Sequence, residues 1–211
     1  MIELTQHQAE LEKATPCSEH KLPLSTAQRG QWIAQKLNDE NAAFNIAEYL
    51  DIIGNLNTDL FSLAIKQLIR EADCIRSRII EEEDQTLQII LDDDRGYHSM
   101  LDFSTSANPH AAATSWMYKD MLQPLNQRND TLWCSALIKI GEQHYYWYHR
   151  CHHVALDGFA GNLLTQRLSE IYNALETNQD TGPNPFGSLV DLINSEVEYK
   201  HSSRFKKDRK Y

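Results

Sequence analysis

The chain has 211 residues, of which 41% are hydrophobic and 24% charged, a composition typical of a folded globular protein and not of a disordered or collagen-like chain. Its 30 Asp and Glu residues outnumber its 20 Lys and Arg residues, so a formal charge of -10 argues against nucleic acid as a partner. The four cysteines form no Cys-x-x-Cys pair, which indicates neither a zinc ribbon nor a secreted disulfide framework.

Apolar spacing predicts helices where hydrophobic residues recur every three or four positions, and strands where they alternate or run together. Leu164, Leu168, Ile171 and Leu175, for example, define an amphipathic helix that begins after Gly158. In chain order, the predicted elements are helix 25–37, strand 44–53, helix 61–72, strands 75–80 and 87–91, helix 111–121, strands 132–140 and 144–151, helix 158–176 and helix 189–211. This order predicts a mixed α/β fold.

Three segments differ in composition and divide the chain. Residues 1–21 form a polar arm, residues 22–180 one globular lobe, and residues 181–211 a linker followed by a helix. Within the lobe, Ser25 is the expected N-cap of the first helix, and Gly141-Glu142 joins an antiparallel hairpin. The basic residues at the end of the last helix are interpreted as a solvated helix terminus.

Several common signals are missing from the sequence. No apolar run reaches the roughly 20 residues of a membrane-spanning helix, and the first residues lack a signal-peptide pattern. There is also no Gly-rich phosphate loop and no Gly-x-Ser-x-Gly turn. We therefore expect a cytoplasmic protein without a membrane partner, and neither nucleotide binding nor serine hydrolysis is indicated.

The residues most suited to chemistry follow the last predicted strand. His152 and His153 are adjacent at its end, and Asp157 and Gly158 lead into the next helix. Because strand side chains alternate between faces, the two histidines cannot both point into one cavity, so we expect one catalytic and one structural histidine. Asp157 could orient a histidine or pair with an arginine, and Gly158 permits close approach of a substrate.

A metal site is one alternative for these residues, because His144 and His149 add further possible ligands nearby. On an extended strand, however, His149 and His153 would lie roughly 13 Å apart, which is too far to share a zinc ion without a turn. A second alternative is that the histidines only satisfy hydrogen bonds near a core. We predict no metal ion in this chain.

Three motifs together resemble a known family. The run His152 to Gly158 fits the His-His-x-x-x-Asp-Gly motif of nonribosomal peptide synthetase condensation domains and their chloramphenicol acetyltransferase-like relatives. Ser25-Thr26-Ala27-Gln28, followed by Trp32, resembles the first motif of that family, and Ile75-Arg76-Ser77 resembles the second. The order and spacing of all three agree with the family pattern.

Within the family, the first motif and Tyr146-Trp147-Tyr148 are most similar to the first domain of enterobactin-type siderophore synthetases. Two positions depart from the usual pattern. Gly30-Gln31 stand where a basic and then an apolar residue are usual, and Ala72-Asp73 stand where His-Glu is usual. Because of these departures, the family pattern does not predict which residues contact the acceptor.

The resemblance implies a chloramphenicol acetyltransferase-like lobe, an α+β two-layer sandwich with a mixed, largely antiparallel sheet packed by helices. A complete condensation domain has two such lobes in a V, with the active site in a tunnel between them. This chain has the length of one lobe, so we expect an N-terminal lobe that is inactive without a C-terminal lobe. No carrier domain fits upstream, which implies a starter module whose donor arrives in trans.

The implied reaction is amide formation, in which the amine of a carrier-bound aminoacyl group attacks the thioester of a carrier-bound acyl or aryl group. Both phosphopantetheine arms belong to partner carrier proteins, so no cofactor is expected on this chain; peptidyl carrier and adenylation domains are expected downstream. The family pattern implies that His153 is catalytic, as a base or by positioning the amine, and that the Gly158 N–H faces the developing oxyanion. It also implies that Asp157 pairs with Arg76 and that His152 braces the loop.

Two other functions fit the same residues. A stand-alone trimeric acyltransferase would build its site between subunits from this single lobe. A non-catalytic module that only docks carrier proteins would not need His153. Within the condensation hypothesis, an aryl acid in siderophore biosynthesis is the expected donor, and a fatty acyl group is the alternative.

Overall fold

The computed structural model describes residues 21–37, 42–83, 85–92, 97–124 and 131–210. The predicted arm lies outside this part of the chain, except for Lys21, where the first strand begins. The strands are β1 (Lys21–Pro23), β2 (Asn45–Ile53), β3 (Ser77–Glu82), β4 (Gln85–Ile90), β5 (His98–Asp102), β6 (Trp133–Gly141) and β7 (His144–His152). The α-helices are α1 (Thr26–Lys36), α2 (Thr58–Glu71), α3 (Pro109–Met121), α4 (Gly158–Glu176), α5 (Leu189–His201) and α6 (Ser203–Asp208), and 3-10 turns occupy Ala42–Phe44 and Asp73–Arg76.

Two sheets organise the described residues. The larger one has the order β2-β7-β6-β5, with antiparallel pairs except for the parallel pair β5 and β6. The smaller one has the order β1-β4-β3 and is antiparallel. The predicted α+β fold, with a mixed, largely antiparallel sheet packed by helices, is confirmed.

Strand β7 lies inside the larger sheet and is buried along almost its whole length. Its odd-numbered side chains, among them Trp147, pack in the main core with α2 and α4. Its even-numbered tyrosines, Tyr146 and Tyr148, pack on the opposite face against Ala113 and Met117 of α3. Helices on both faces explain why the aromatic run Tyr145 to Tyr148 of this strand does not alternate between apolar and polar residues.

Helices α2 and α4 are joined by an ion pair at the edge of the main core. The guanidinium of Arg167, on α4, places Nε 2.7 Å from Glu71 Oε2 and donates from Nη2 to Oε1 at 2.9 Å. The same group donates to the carbonyl oxygens of Thr181 and Gly182. One buried side chain therefore holds two helices and the following loop together.

Most predicted elements are present, with three differences. Ile75 lies in a 3-10 turn and not in β3. The predicted helix 189–211 is interrupted at Ser202, which ends α5 and whose Oγ accepts the Phe205 N–H as the N-cap of α6. Strands β1 and β5 were not predicted. No helix among the described residues is long and apolar enough to cross a membrane.

Candidate active site

The two histidines lie where β7 turns toward α4. The His153 N–H donates to the Phe44 carbonyl oxygen at 2.8 Å, and the Ala155 N–H donates to the His152 carbonyl oxygen at 2.9 Å. The second bond closes a tight turn directly after the strand, and the first joins that turn to the 3-10 turn that precedes β2. Because β7 is an inner strand held by neighbours on both sides, the turn starts from a fixed position.

His152 is enclosed, with 2% of its surface exposed. Its Nδ1 accepts the Val154 N–H at 3.1 Å, so the neutral ring carries its proton on Nε2, which lies 3.3 Å from Gln35 Oε1. Its ring also stacks on Phe44, with centroids 5.9 Å apart. Burial, together with the neighbouring charge of His153, lowers the pKa of His152 to about 4. These contacts fix the His152 ring within the turn and stabilise the turn.

His153 is half-buried and has a different environment. Its Nδ1 lies 3.1 Å from Nε2 of Gln31, on α1. Among the described residues, no side chain or backbone group bonds Nε2 of His153. The second ring nitrogen is therefore available to a substrate, whereas both ring nitrogens of His152 are used inside the protein.

Asp157 and Gly158 form the start of α4. The Asp157 side chain is the N-cap, since Oδ1 accepts the Ala160 N–H at 2.8 Å. The Gly158 N–H meets no acceptor within the described chain, and it lies at the positive end of a 19-residue helix. A Cβ at Gly158 would meet no atom of the described residues within 4 Å, so their packing does not require glycine there.

The predicted pair between Arg76 and Asp157 is wrong. Arg76 Nη2 lies 2.8 Å from Asp73 Oδ1, and Nη1 donates to the Leu91 carbonyl oxygen at 2.8 Å. Asp73 in turn accepts the Leu189 N–H at Oδ2. Arg76 therefore ties the 3-10 turn to the end of β4 and the start of α5, while Asp157 is committed to capping α4.

The sequence did not point to Gln31 and Gln35 as site residues. They lie one turn apart on α1, and each amide contacts one histidine of a distant segment. Their i, i+4 spacing on a helix beside the first motif was the available signal. Nothing in the local pattern indicates which residues such a helix face will contact.

The other histidines near the motif have partners of their own. His149 Nε2 lies 2.9 Å from Glu48 Oε1, and burial lowers the pKa of His149 despite this carboxylate. His144 Nε2 lies 2.6 Å from Asp51 Oδ1. Across residues 21–37, 42–83, 85–92, 97–124 and 131–210, no three His, Cys, Asp or Glu side chains are grouped as metal ligands would be.

Two large apolar side chains on the first turns of α4 are exposed. Phe159, directly after Gly158, is 72% exposed, and Leu163, one turn later, is 41% exposed. They lie on the same face of the helix because they are four residues apart. The first turns of α4, which follow the histidine turn in the chain, thus expose apolar surface.

Residues 18–211 match the family model of the condensation domain. The chain belongs to the condensation domain family. Over 190 residues it is 34% identical to an isonitrile lipopeptide synthase of Streptomyces coeruleorubidus, a match that covers 90% of this chain and 13% of the synthase. Over 194 residues it is 31% identical to enterobactin synthase component F of Shigella flexneri, covering 90% of this chain and 15% of that protein. The family resemblance seen in the three motifs is confirmed.

A solved relative within the condensation domain family is the starter condensation domain of rhizomide synthetase RzmA. It matches with a TM-score of 0.85 at 34% identity over 91% of this chain and 47% of that chain. A double mutant of it, in complex with C8-CoA and Leu-SNAC, matches with a TM-score of 0.84 at 34% identity over 90% of this chain and 44% of that chain. The present chain therefore spans about half of a solved condensation domain.

Proposed function

We propose that this chain is the N-terminal lobe of a starter-type condensation domain that joins a carrier-bound acyl or aryl group to a carrier-bound amino acid. The observation that carries the proposal is the turn after β7, where Nε2 of His153 and the N–H of Gly158 are both without a partner among the described residues. One unpaired ring nitrogen and one unpaired backbone donor at a helix N-terminus suit a reaction that develops an oxyanion.

In the proposed reaction, every bond and proton is accounted for by the two substrates, without an added cofactor. The amine nitrogen of the acceptor bonds the carbonyl carbon of the donor thioester, and a tetrahedral oxyanion forms. The carbon–sulfur bond then breaks, the amide remains, and the proton lost by the amine ends on the leaving thiolate. His153 contacts the reacting amine and intermediate, the Gly158 N–H faces the oxyanion, and His152 and Asp157 hold the turn.

The substrates are carried by partners in this proposal. Phosphopantetheine arms of a donor carrier protein, acting in trans, and of a downstream acceptor carrier protein would bring both groups to the turn, so the chain itself holds no cofactor. The solved relatives are about twice as long as this chain. We therefore propose that a second lobe completes the substrate tunnel and that this lobe alone is inactive.

Two donors fit the site. Similarity to enterobactin synthase component F favours an aryl acid and a role in siderophore biosynthesis. A fatty acyl donor is the second candidate, because the rhizomide starter domain was solved with C8-CoA and α4 exposes Phe159 and Leu163 shortly after the histidine turn. The choice between them depends on which acyl group the site accepts from a carrier protein.

The test uses the chain joined to its natural downstream residues, with acyl-loaded and aminoacyl-loaded carrier proteins and detection of the amide by intact mass. We expect His153→Ala to slow amide formation by about 10² to 10⁴ fold. His201→Ala, an exposed histidine of α5, is the matched control and should keep the parent rate. Equal rates for His153→Ala and the parent would favour a docking module instead, and a homotrimer with acyl transfer to a free small molecule would favour the stand-alone acyltransferase.

A further inference from the structure

The two histidines of the turn are each held by an amide from the same helix. Gln31 Nε2 lies 3.1 Å from His153 Nδ1, and Gln35 Oε1 lies 3.3 Å from His152 Nε2. Residues four apart on a helix lie on one face, so α1 presents both amides side by side. The amides are used in opposite senses, because Gln31 offers its nitrogen and Gln35 its oxygen.

Helix α1 is fixed firmly enough to position a ring. Its N-terminus has a capping box, in which Ser25 Oγ accepts the Gln28 N–H and Gln28 Oε1 accepts the Ser25 N–H. Trp32, on the turn between the two glutamines, is buried in a cluster that also contains Val154 of the histidine turn. The helix and the turn are therefore held together by apolar packing as well as by the two glutamine–histidine contacts.

The Gln31 contact determines which nitrogen of His153 carries the proton. An amide nitrogen only donates hydrogen bonds, so Nδ1 of His153 must accept the bond. A neutral imidazole has one N–H, and with Nδ1 accepting, that proton lies on Nε2. His153 then offers an N–H donor, and not a lone pair, at the ring nitrogen that is free of partners among the described residues.

We propose that Gln31 is the positioning residue of His153 and holds the ring as the Nε2–H tautomer, so that His153 acts on the reaction as a hydrogen-bond donor. This proposal rests on the proposed amide-forming function. In that reaction the Nε2–H and the Gly158 N–H both donate to the tetrahedral oxyanion. His153 keeps its proton throughout, and the amine proton passes to the departing sulfur, so no general base on this chain is required.

The tautomer can be measured without any activity. Imidazole ¹⁵N shifts of the chain labelled at histidine, assigned with His153→Ala, distinguish a ring nitrogen that carries a proton from one that does not. We expect the wild-type chain to show an unprotonated Nδ1 and a protonated Nε2 at His153. Gln31→Glu, which has nearly the same size but can only accept, should reverse this pattern, and a protonated Nδ1 in the wild type would overturn the proposal.

The rate of amide formation supplies the second readout, in the chain joined to its downstream residues. Gln31→Glu and Gln31→Met should each slow turnover at saturating carrier proteins by about 10 to 100 fold, with little change in the concentration needed for half-saturation. Gln166→Met, at an exposed helix glutamine that donates to Glu170 on the same helix, is the control and should keep the parent rate.

The two variants separate the possible roles of Gln31. If it only fills space, the nearly isosteric Gln31→Glu keeps the parent rate, and the proposal fails. If His153 acts as a base, Gln31→Glu keeps or raises the rate, since it leaves a lone pair on Nε2, and the proposal also fails. If His153→Ala is itself as active as the parent, the proposed function fails and the ¹⁵N result still decides the tautomer.

Discussion

At the scale of single residues, identical side chains in one turn have different roles because their surroundings differ. His152 has both ring nitrogens bonded within the protein and is buried, whereas His153 has one ring nitrogen bonded and is half-buried. The alternation of strand side chains predicted this division. The family motif implied that His152 braces the loop, and its ring is bonded accordingly; the catalytic role implied for His153 stays a prediction.

The buried state of His152 makes stability depend on pH. Its pKa of about 4 lies below the usual 6.5, so the unfolded chain binds more protons than the folded chain between these values. The free energy of unfolding should therefore fall as pH falls, with a contribution from His152 of about 2 kcal/mol between pH 7.5 and pH 5. Urea unfolding of the parent and His152→Gln at both pH values measures it, and an unchanged pH dependence in the variant would contradict this assignment.

The corrected role of Asp157 leads to a second expectation. Asn caps helices as well as Asp does, whereas Ala does not. Asp157→Ala should therefore lower the free energy of unfolding by about 1 kcal/mol, and Asp157→Asn should leave it nearly unchanged. Thermal unfolding of the three proteins is the measurement. An equal loss in both variants would instead indicate that the charge of Asp157 matters, as an ion pair would require.

At the scale of elements, local patterns predicted the helices and the inner strands well. Helix α4 begins at Gly158 and ends at Glu176, as its apolar spacing predicted. Strand β5 was missed because its side chains are half-exposed or exposed and because the strand with which it pairs, β6, is parallel and lies more than 30 residues further along the chain. The break at Ser202 was missed because apolar spacing does not record a serine that caps the following helix.

The ion pair between α2 and α4 provides a test at this scale. Arg167→Met leaves the Glu71 carboxylate, 12% exposed, without its partner and two carbonyl oxygens without a donor. We expect a loss of about 3 kcal/mol in the free energy of unfolding, and a smaller loss for Arg167→Lys, which keeps the charge but not the planar fork. The matched control is Arg204→Met on α6, where the pair with Asp208 is 82% exposed on the arginine side, and no measurable loss is expected. Equal losses at the two arginines, measured by urea unfolding, would refute the assignment.

At the scale of the whole molecule, the last two helices contribute unequally. Helix α5 packs Leu189 and Ile193 against Leu22 of β1, and Glu196 accepts hydrogen bonds from Thr26 at the start of α1. Helix α6 has no buried residue. The sequence predicted one continuous helix over residues 189–211, and only the packing distinguishes a helix that stabilises the lobe from one that extends beyond it.

Two shortened chains test this difference. A chain that ends at Ser202 should keep nearly the parent free energy of unfolding, within about 1 kcal/mol, since α6 contains no buried residue. A chain that ends at Gly187 loses two buried aliphatic side chains and exposes Leu22, so we expect a loss of about 4 kcal/mol. Urea unfolding compares them, and a stable chain ending at Gly187 would show that α5 does not stabilise the lobe.

The side-chain contacts of Gln31 and Gln35 with the two histidines also determine when the site forms during folding. The Gln31–His153 contact closes a separation of 122 residues, and the Gln35–His152 contact closes one of 117. Contacts so distant in sequence carry a large loop-closure entropy and form late in folding, after local helices and the β6–β7 hairpin. During synthesis on the ribosome, α1 emerges long before the histidines it will hold. The contact that holds the His153 ring is therefore made only in a completely folded lobe, and a partly folded chain lacks the proposed site.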